Sequence, residues 1–395
     1  MCISGTGHEP GQQVPGARRR PAAVALTSPS PTFDGAPQPV AARRPLGRLN
    51  LDVRQSIAPW LHGLILLLSV FVGMAISVTI LAASGVDVSG IYREFVVFTF
   101  FDRLGLSSVL IQCAPLIFVG LSAAMAFRVN FWNIGIEGQF FWGVIFATAI
   151  AIWDVGPPGL RIYLMFVAAC LGGFLWTVVP SLLKIKLGVN EIISTLLLNY
   201  IAFLVALNQV YGAWQDPNER FPHSEKFDPV EQLPKLGWEK VHVGLVLALV
   251  MVALIWWLVE RSRFGAYARI VGSNARMALA AGVPVALIVF LSVGVSGALS
   301  GAAGFVMAAG QEFRLTGTMA AGYGFSGIMI AFLARNNPLA VLAVAFLIGG
   351  LFVAGLSIKS FYGLPEAMVQ LIQAIIVLCV AGSHFFVSYR VRWAR

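Results

Sequence analysis

RSRFGAYARIVGSNARMALAAG, residues 261–282, is a polar island between two long apolar runs, and the organisation of the chain can be read outward from it. Arg261, Arg263, Arg269 and Arg276 lie here without a single carboxylate. Its second half carries helix punctuation. Ser273 can act as an N-cap, Asn274 to Ala281 supply about two turns of helix formers, and Gly282 can end them. So short a positive helix between two apolar spans is too small for a domain. It is either an ordinary loop held inside by its arginines or a docking element.

The flanking runs decide the fold class. Of 395 residues, 58% are hydrophobic and 11% charged, and the mean hydropathy is +0.81; soluble domains carry roughly 25% charge. This is the composition of an all-α, polytopic membrane protein. The net charge of +9 sits in the tail and short loops, so it marks orientation and contact with membrane lipid, not nucleic acid. Cys113, Cys170 and Cys379 fall inside apolar runs, where small-hydrophobe roles are expected, and the five histidines form no ligand cluster.

Residues 1 to about 55 are rich in Pro, Ala, Ser and Arg and read as a disordered cytoplasmic tail. The first apolar run, Trp60 to Ala83, exceeds a signal-peptide core of roughly 7–15 residues and reads as an uncleaved helix. Runs near the roughly 20 residues of a span follow at about 106–127, 131–153, 161–183, 190–212, 241–259, 284–309, 338–358 and 363–387. A shorter one, 323–334, lies between Gly322-Tyr323-Gly324 and Arg335-Asn336-Asn337-Pro338 and reads as a short or broken helix. Irregular backbone at that depth needs protein or a cavity around it. The expectation is about ten transmembrane segments. With the N-terminus inside, 18 Lys/Arg fall on the cytoplasmic side and nine opposite, the bias the positive-inside rule requires. Both termini, including the end 391–395, are then cytoplasmic. So is 261–283, with the polar loop 213–240 outside. A candidate internal repeat pairs Gly120–Phe127 with Gly297–Phe305, each before a Gly-interrupted apolar segment. Gly297 and Gly301 also suit close helix packing.

Two polar constellations enter the apolar runs. In Asn130–Gln139, Glu137 and Gln139 come just after a polar turn, with Asn130 or Asn133 available to cap the following helix; Glu137 either lines a permeation path or braces the turn at a positive helix end. In Gly188–Tyr200, Ser194, Thr195 and Asn199 fall on one helical stripe, fit for a wet pathway or an interhelical hydrogen-bonded seam, while Asn190 and Glu191 suit capping. The amides and hydroxyls suit a neutral polyhydroxylated solute. No Gly-Lys-[Ser/Thr] occurs, so nucleotide hydrolysis is not expected here, and no HExxH or Gly-x-Ser-x-Gly points to an enzyme.

FWNIGIEGQ (131–139) resembles a signature of permease subunits in bacterial ATP-binding-cassette (ABC) importers of the ribose/branched-chain amino acid permease superfamily. GVNEIISTLLLNYIA (188–202), FGAYARIVGSNARMALAAGV (264–283) and GYGFSGIMIAFLARNNPLA (322–340) are similar to further motifs of its nucleoside-uptake branch, which works with basic-membrane-protein-type lipoproteins. The resemblance covers nearly everything from residue 55 to 390, with the four motifs in the right order. Trp132 is inserted-looking, and Ser326 stands where an acidic residue is common. The resemblance implies a transmembrane permease domain over 56–390 in the bacterial plasma membrane, importing nucleosides. The alternatives are a simple-sugar or branched-chain amino acid permease, or an ion-coupled carrier. It implies three partners: a cytoplasmic ABC ATPase, a second and different permease, and an extracytoplasmic solute-binding lipoprotein. No cofactor is implied in this chain, ATP being bound by the ATPase. Gly272, Ser273, Asn274, Arg276, Ala278 and Gly282 become the ATPase-coupling residues, and Asn133, Glu137, Gln139, Ser194, Thr195 and Asn199 the candidates for the substrate pathway.

Overall fold

The computed structural model describes residues 49–53, 59–83, 93–219, 221–317, 319, 322–363 and 365–393. The expected tail, up to residue 48, lies outside them. The apolar runs become helices in chain order: α1 Pro59–Ala83, α2 Arg103–Phe127, α3 Ile136–Ile152, α4 Pro158–Leu187, α5 Glu191–Val210 and α6 Gly244–Arg261. The polar island gives α7 Arg263–Ser273 and α8 Ala275–Ala280. The chain then continues through α9 Val285–Met307, α10 Tyr323–Leu333, α11 Pro338–Tyr362 and α12 Glu366–Ser388. Leu49–Val53 and Tyr389–Trp393 pair as two short strands.

Eight of the described helices are long and apolar enough to cross a membrane, and α3 and α10 are shorter apolar helices. Ten segments therefore stand where ten were expected, with one revision. The run 131–153 is not one helix, because Phe131–Gly135 is irregular and α3 starts only at Ile136. Asn130 at φ +54° turns the chain back after α2, a conformation asparagine tolerates better than most residues. At 1.5 Å per residue the 17-residue α3 spans about 25 Å and the 11-residue α10 about 16 Å, both less than the roughly 30 Å hydrocarbon layer. Two π-helical segments were not anticipated: Arg93–Phe101, packed against α2 and α11, and Ala308–Glu312, which extends α9.

Helix α2 is the axis. It is buried along nearly its whole length and contacts α9, α10 and α11, whereas α4, α5 and α6 turn long apolar stripes outward. The expected close face on α9 is realised against α4. A Cβ on Gly301 would lie 2.0 Å from the Ala169 carbonyl oxygen, and one on Gly297 would lie 2.4 Å from that of Gly173. Only glycine lets the two backbones approach this closely.

Loops alternate between the two ends of the bundle. At one end the α2–α3, α6–α9 and α10–α11 connections meet, Arg128 donating to the Asn336 carbonyl at 2.8 Å and lying 3.7 Å from Glu260. At the other end the 213–243 loop is strapped to the chain after α9: Ser224 N–H donates to Leu315 at 3.0 Å, Phe227 to Phe313 at 2.8 Å and Leu233 to Ala309 at 2.8 Å. Arg161 at the start of α4 clamps the same loop through Glu231 at 2.7 Å, and lies 2.6 Å from Asp154.

Candidate functional site: the α2–α3 link

The irregular segment between α2 and α3 gathers most of the residues singled out in the sequence. Asn133 is fully buried. Its Nδ2 donates to Gln139 Oε1 at 3.0 Å and to Ser296 Oγ at 2.9 Å, and its Oδ1 accepts from Gly135 N–H at 3.1 Å and Gln139 Nε2 at 2.9 Å. Every hydrogen-bonding position of this amide is thus engaged. Helix α5 holds the segment from the other side. Thr195 Oγ1 accepts from Ile134 N–H at 3.3 Å. Asn199 Nδ2 donates to the Ile134 carbonyl at 2.8 Å, and its Oδ1 accepts from Gly138 N–H at 2.8 Å. Unwound backbone inside a bilayer needs such partners, and the side chains of α5 and α9 supply them. Ser194 stays outside the network, bonding back to the Glu191 carbonyl at 3.2 Å. Asn190 caps α5 through Ile192 N–H, the role read for it in the sequence, whereas Glu191, read as a cap too, instead pairs with Lys184 at 2.6 Å.

Glu137 lies where two short helices begin. Its Oε1 accepts from Gly322 N–H at 3.3 Å, the residue before α10, and a Cβ on Gly324 would come 2.7 Å from the Glu137 backbone nitrogen. The first turns of α3 and α10 therefore abut, with this carboxylate between them. Its Oε2 is buried without a protein partner. Ser326 completes the turn by donating to the Gly322 carbonyl at 2.8 Å, so the hydroxyl at this unusual position closes the broken helix locally.

The same segment reaches the polar island. Asn130 Nδ2 donates to the Gly272 carbonyl, and a Cβ at Gly272 would sit 2.1 Å from the Arg128 carbonyl oxygen. Gly272 is glycine because the α2–α3 turn passes directly over it. The punctuation is shifted by one residue from the expectation: Ser273 ends α7, and Asn274 is the N-cap of α8, accepting from Arg276 and Met277 N–H at 3.1 Å. Gly282 follows at φ +77°. The first half of the island, read only as arginine-rich, is the eleven-residue α7. Ala278 is fully buried, packed in a cluster with Val129, Phe131, Ala268, Val271 and Val283. Met277 and Leu279, about 60% exposed, form the outward apolar face, and Arg276 is exposed beside them.

Three partners were not found in the sequence. Ser296 and Ser300, one turn apart on α9, serve Asn133 and the Ile136 carbonyl, and Ser122 on α2 lies 3.0 Å from Ser296. Serines at 292, 296 and 300 repeat every four residues along one face of an otherwise apolar helix, a signal that was available. Trp132 projects outward and packs between Phe127 and Phe332, with ring centroids at 5.4 and 5.7 Å.

The site is thus a bundle of apolar helices with two abutting short helices, tied through one irregular segment to a surface helix pair. The chain belongs to the family described as Branched-chain amino acid transport system / permease component, whose match covers residues 105–381. It is 35% identical to the glucose ABC transporter permease protein TsgB13 of Haloferax volcanii over 87% of this chain and 93% of that one. It is 30% identical to the guanosine ABC transporter permease protein NupP of Bacillus subtilis, over 82% and 94%. The nucleoside ABC transporter permease protein NupB of Lactococcus lactis is 25% identical over 84% and 92%.

Proposed function

We propose that this chain is the membrane-spanning subunit of an ATP-driven importer that takes nucleosides into a bacterial cell, with 261–283 and both termini on the cytoplasmic side. An ABC ATPase docks on the outward face of α8, a second permease completes the pathway, and an extracytoplasmic lipoprotein delivers solute at the end formed by the 213–243 loop. The observation that carries this reading is that one stretch of backbone, 130–138, is bonded at Asn130 to Gly272, at Ile134 and Gly138 to Asn199 on α5, and at Glu137 to Gly322 at the start of α10. A push on α7 and α8 has a rigid route to the place where two helices are broken. When the ATPases close on ATP, the link shifts the α3 and α10 starts together and opens the path toward the lipoprotein. Asn133, Glu137, Gln139, Thr195 and Asn199 act in this reading as the hinge of the pathway.

Relatives named for guanosine and for nucleosides support the solute. The glucose permease TsgB13 favours a second reading, a simple-sugar importer, which needs the same partners. Reconstitution of the complex with its lipoprotein distinguishes them. Guanosine-loaded lipoprotein is expected to stimulate ATP hydrolysis and glucose-loaded lipoprotein is not; the reverse result assigns a sugar. Uptake that persists when the ATPase is inactivated would sink both.

A further inference from the structure

A cavity of about 600 Å³ opens at the 213–243 end, within this one chain, between the start of α2, the π-helical end of α9 and the end of α11. That is the size of a small-molecule pocket. Its walls combine three aromatic rings, Phe98, Phe313 and Phe361, with the amides of Gln112 and Gln311 and the hydroxyl of Ser357. Both amides are oriented by the frame. Gln311 Nε2 donates to the Ile111 carbonyl at 3.2 Å, and Gln112 Nε2 is bonded to the Tyr323 hydroxyl. Each Nε2 is thus held on the protein side. Flat apolar faces beside fixed amides and a hydroxyl suit a ring system that carries its own donors and acceptors. Lys235 and Lys240 stand exposed at the mouth, and no carboxylate is among the lining residues.

The floor of the cavity touches the machinery. Tyr323 is the first residue of α10, one position after the Gly322 N–H bonded to Glu137. Gln311 sits in the π-helical segment, the kind of helix irregularity that frequently marks functional positions.

We propose that this cavity is a solute-binding site inside the permease chain, taking a nucleoside-class ligand by stacking its base on the phenylalanines and bonding its polar edge to Gln112, Gln311 and Ser357. Occupancy is sensed at the α10 break through the Gln112–Tyr323 contact. The identity of the ligand rests on the function proposed above; the existence of the site does not.

The test is thiol labelling of the purified full-length protein carrying Gln311→Cys or, as a second position, Ser357→Cys. The parent's rate, from its own cysteines, is subtracted. Guanosine at ten times its dissociation constant is expected to slow labelling at both positions roughly tenfold, by simple occupancy, while Leu236→Cys on the neighbouring loop is unaffected. Glucose protecting in place of guanosine would keep the site and overturn the nucleoside assignment. Protection by neither solute, or protection by anionic phospholipid alone, would overturn the site while leaving the importer reading to its own reconstitution test.

Discussion

Asn133 shows how much depends on one buried amide. Replacing it with leucine removes four hydrogen bonds and leaves the buried Gln139 amide and the Gly135 N–H without their partner, while Ser296 keeps Ser122. Each buried group left unpaired costs about 1–3 kcal/mol. Asn133→Leu is therefore expected to lower stability by about 2–3 kcal/mol, read as earlier thermal unfolding in detergent, whereas Asn199→Leu, at a half-buried position, is expected to cut uptake more than it cuts the amount of folded protein. Equal losses of uptake and folded protein for Asn199→Leu would make it a structural seam only. On the 213–243 loop, buried His242 packs against Gly310 and precedes α6 with its Nδ1 accepting from Gly244 N–H, and burial pushes its pKa down to about 4. The unfolded histidine titrates near 6.5, about where free imidazole does. The folded form thus resists protonation that the unfolded chain accepts, and stability falls as pH drops from about 6.5 toward 4. His242→Asn, which keeps an acceptor for Gly244, is expected to flatten acid unfolding in that window.

At the scale of elements, α8 separates two roles that look alike in the sequence. Ala278 faces the bundle and Met277 and Leu279 face away. Cysteines at Met277 and Leu279 are expected to crosslink to the ATPase, and a cysteine at Ala278 is not; a crosslink at Ala278 alone would reverse the docking face. Between α4 and α9, Gly301→Leu would force apart backbones now in contact, at a cost of about 3 kcal/mol or more, visible as loss of the folded form. Long apolar runs made α2, α4 and α9 legible from composition, and glycine and proline punctuation marked α10 as broken. What sequence could not give was the register of contacts. Serines on α9, asparagines on α5 and the α2–α3 turn are far apart in the chain, and nothing local says that Ser296 meets Asn133. The α3 start lies later than the apolar run because Phe131, Trp132 and Ile134 are apolar enough to pass for helix, although the chain, turned at Asn130 by its positive φ, stays irregular to Gly135.

Over the whole molecule, the two ends are built differently. One carries short turns tied by Arg128, Asn130 and Gly272; the other carries a long strapped loop and an open cavity. That asymmetry matches a machine driven from one face and loaded from the other. Half-helices α3 and α10 meet head to head around Glu137. A helix dipole carries no net charge, its positive start being cancelled at its other end, so within this hinge only the Glu137 side chain can carry charge across the membrane as it moves. Membrane voltage does work only on net charge that moves, about 2.3 kcal/mol per elementary charge per 100 mV, so any voltage dependence that the hinge gives the stroke is expected to vanish in Glu137→Gln.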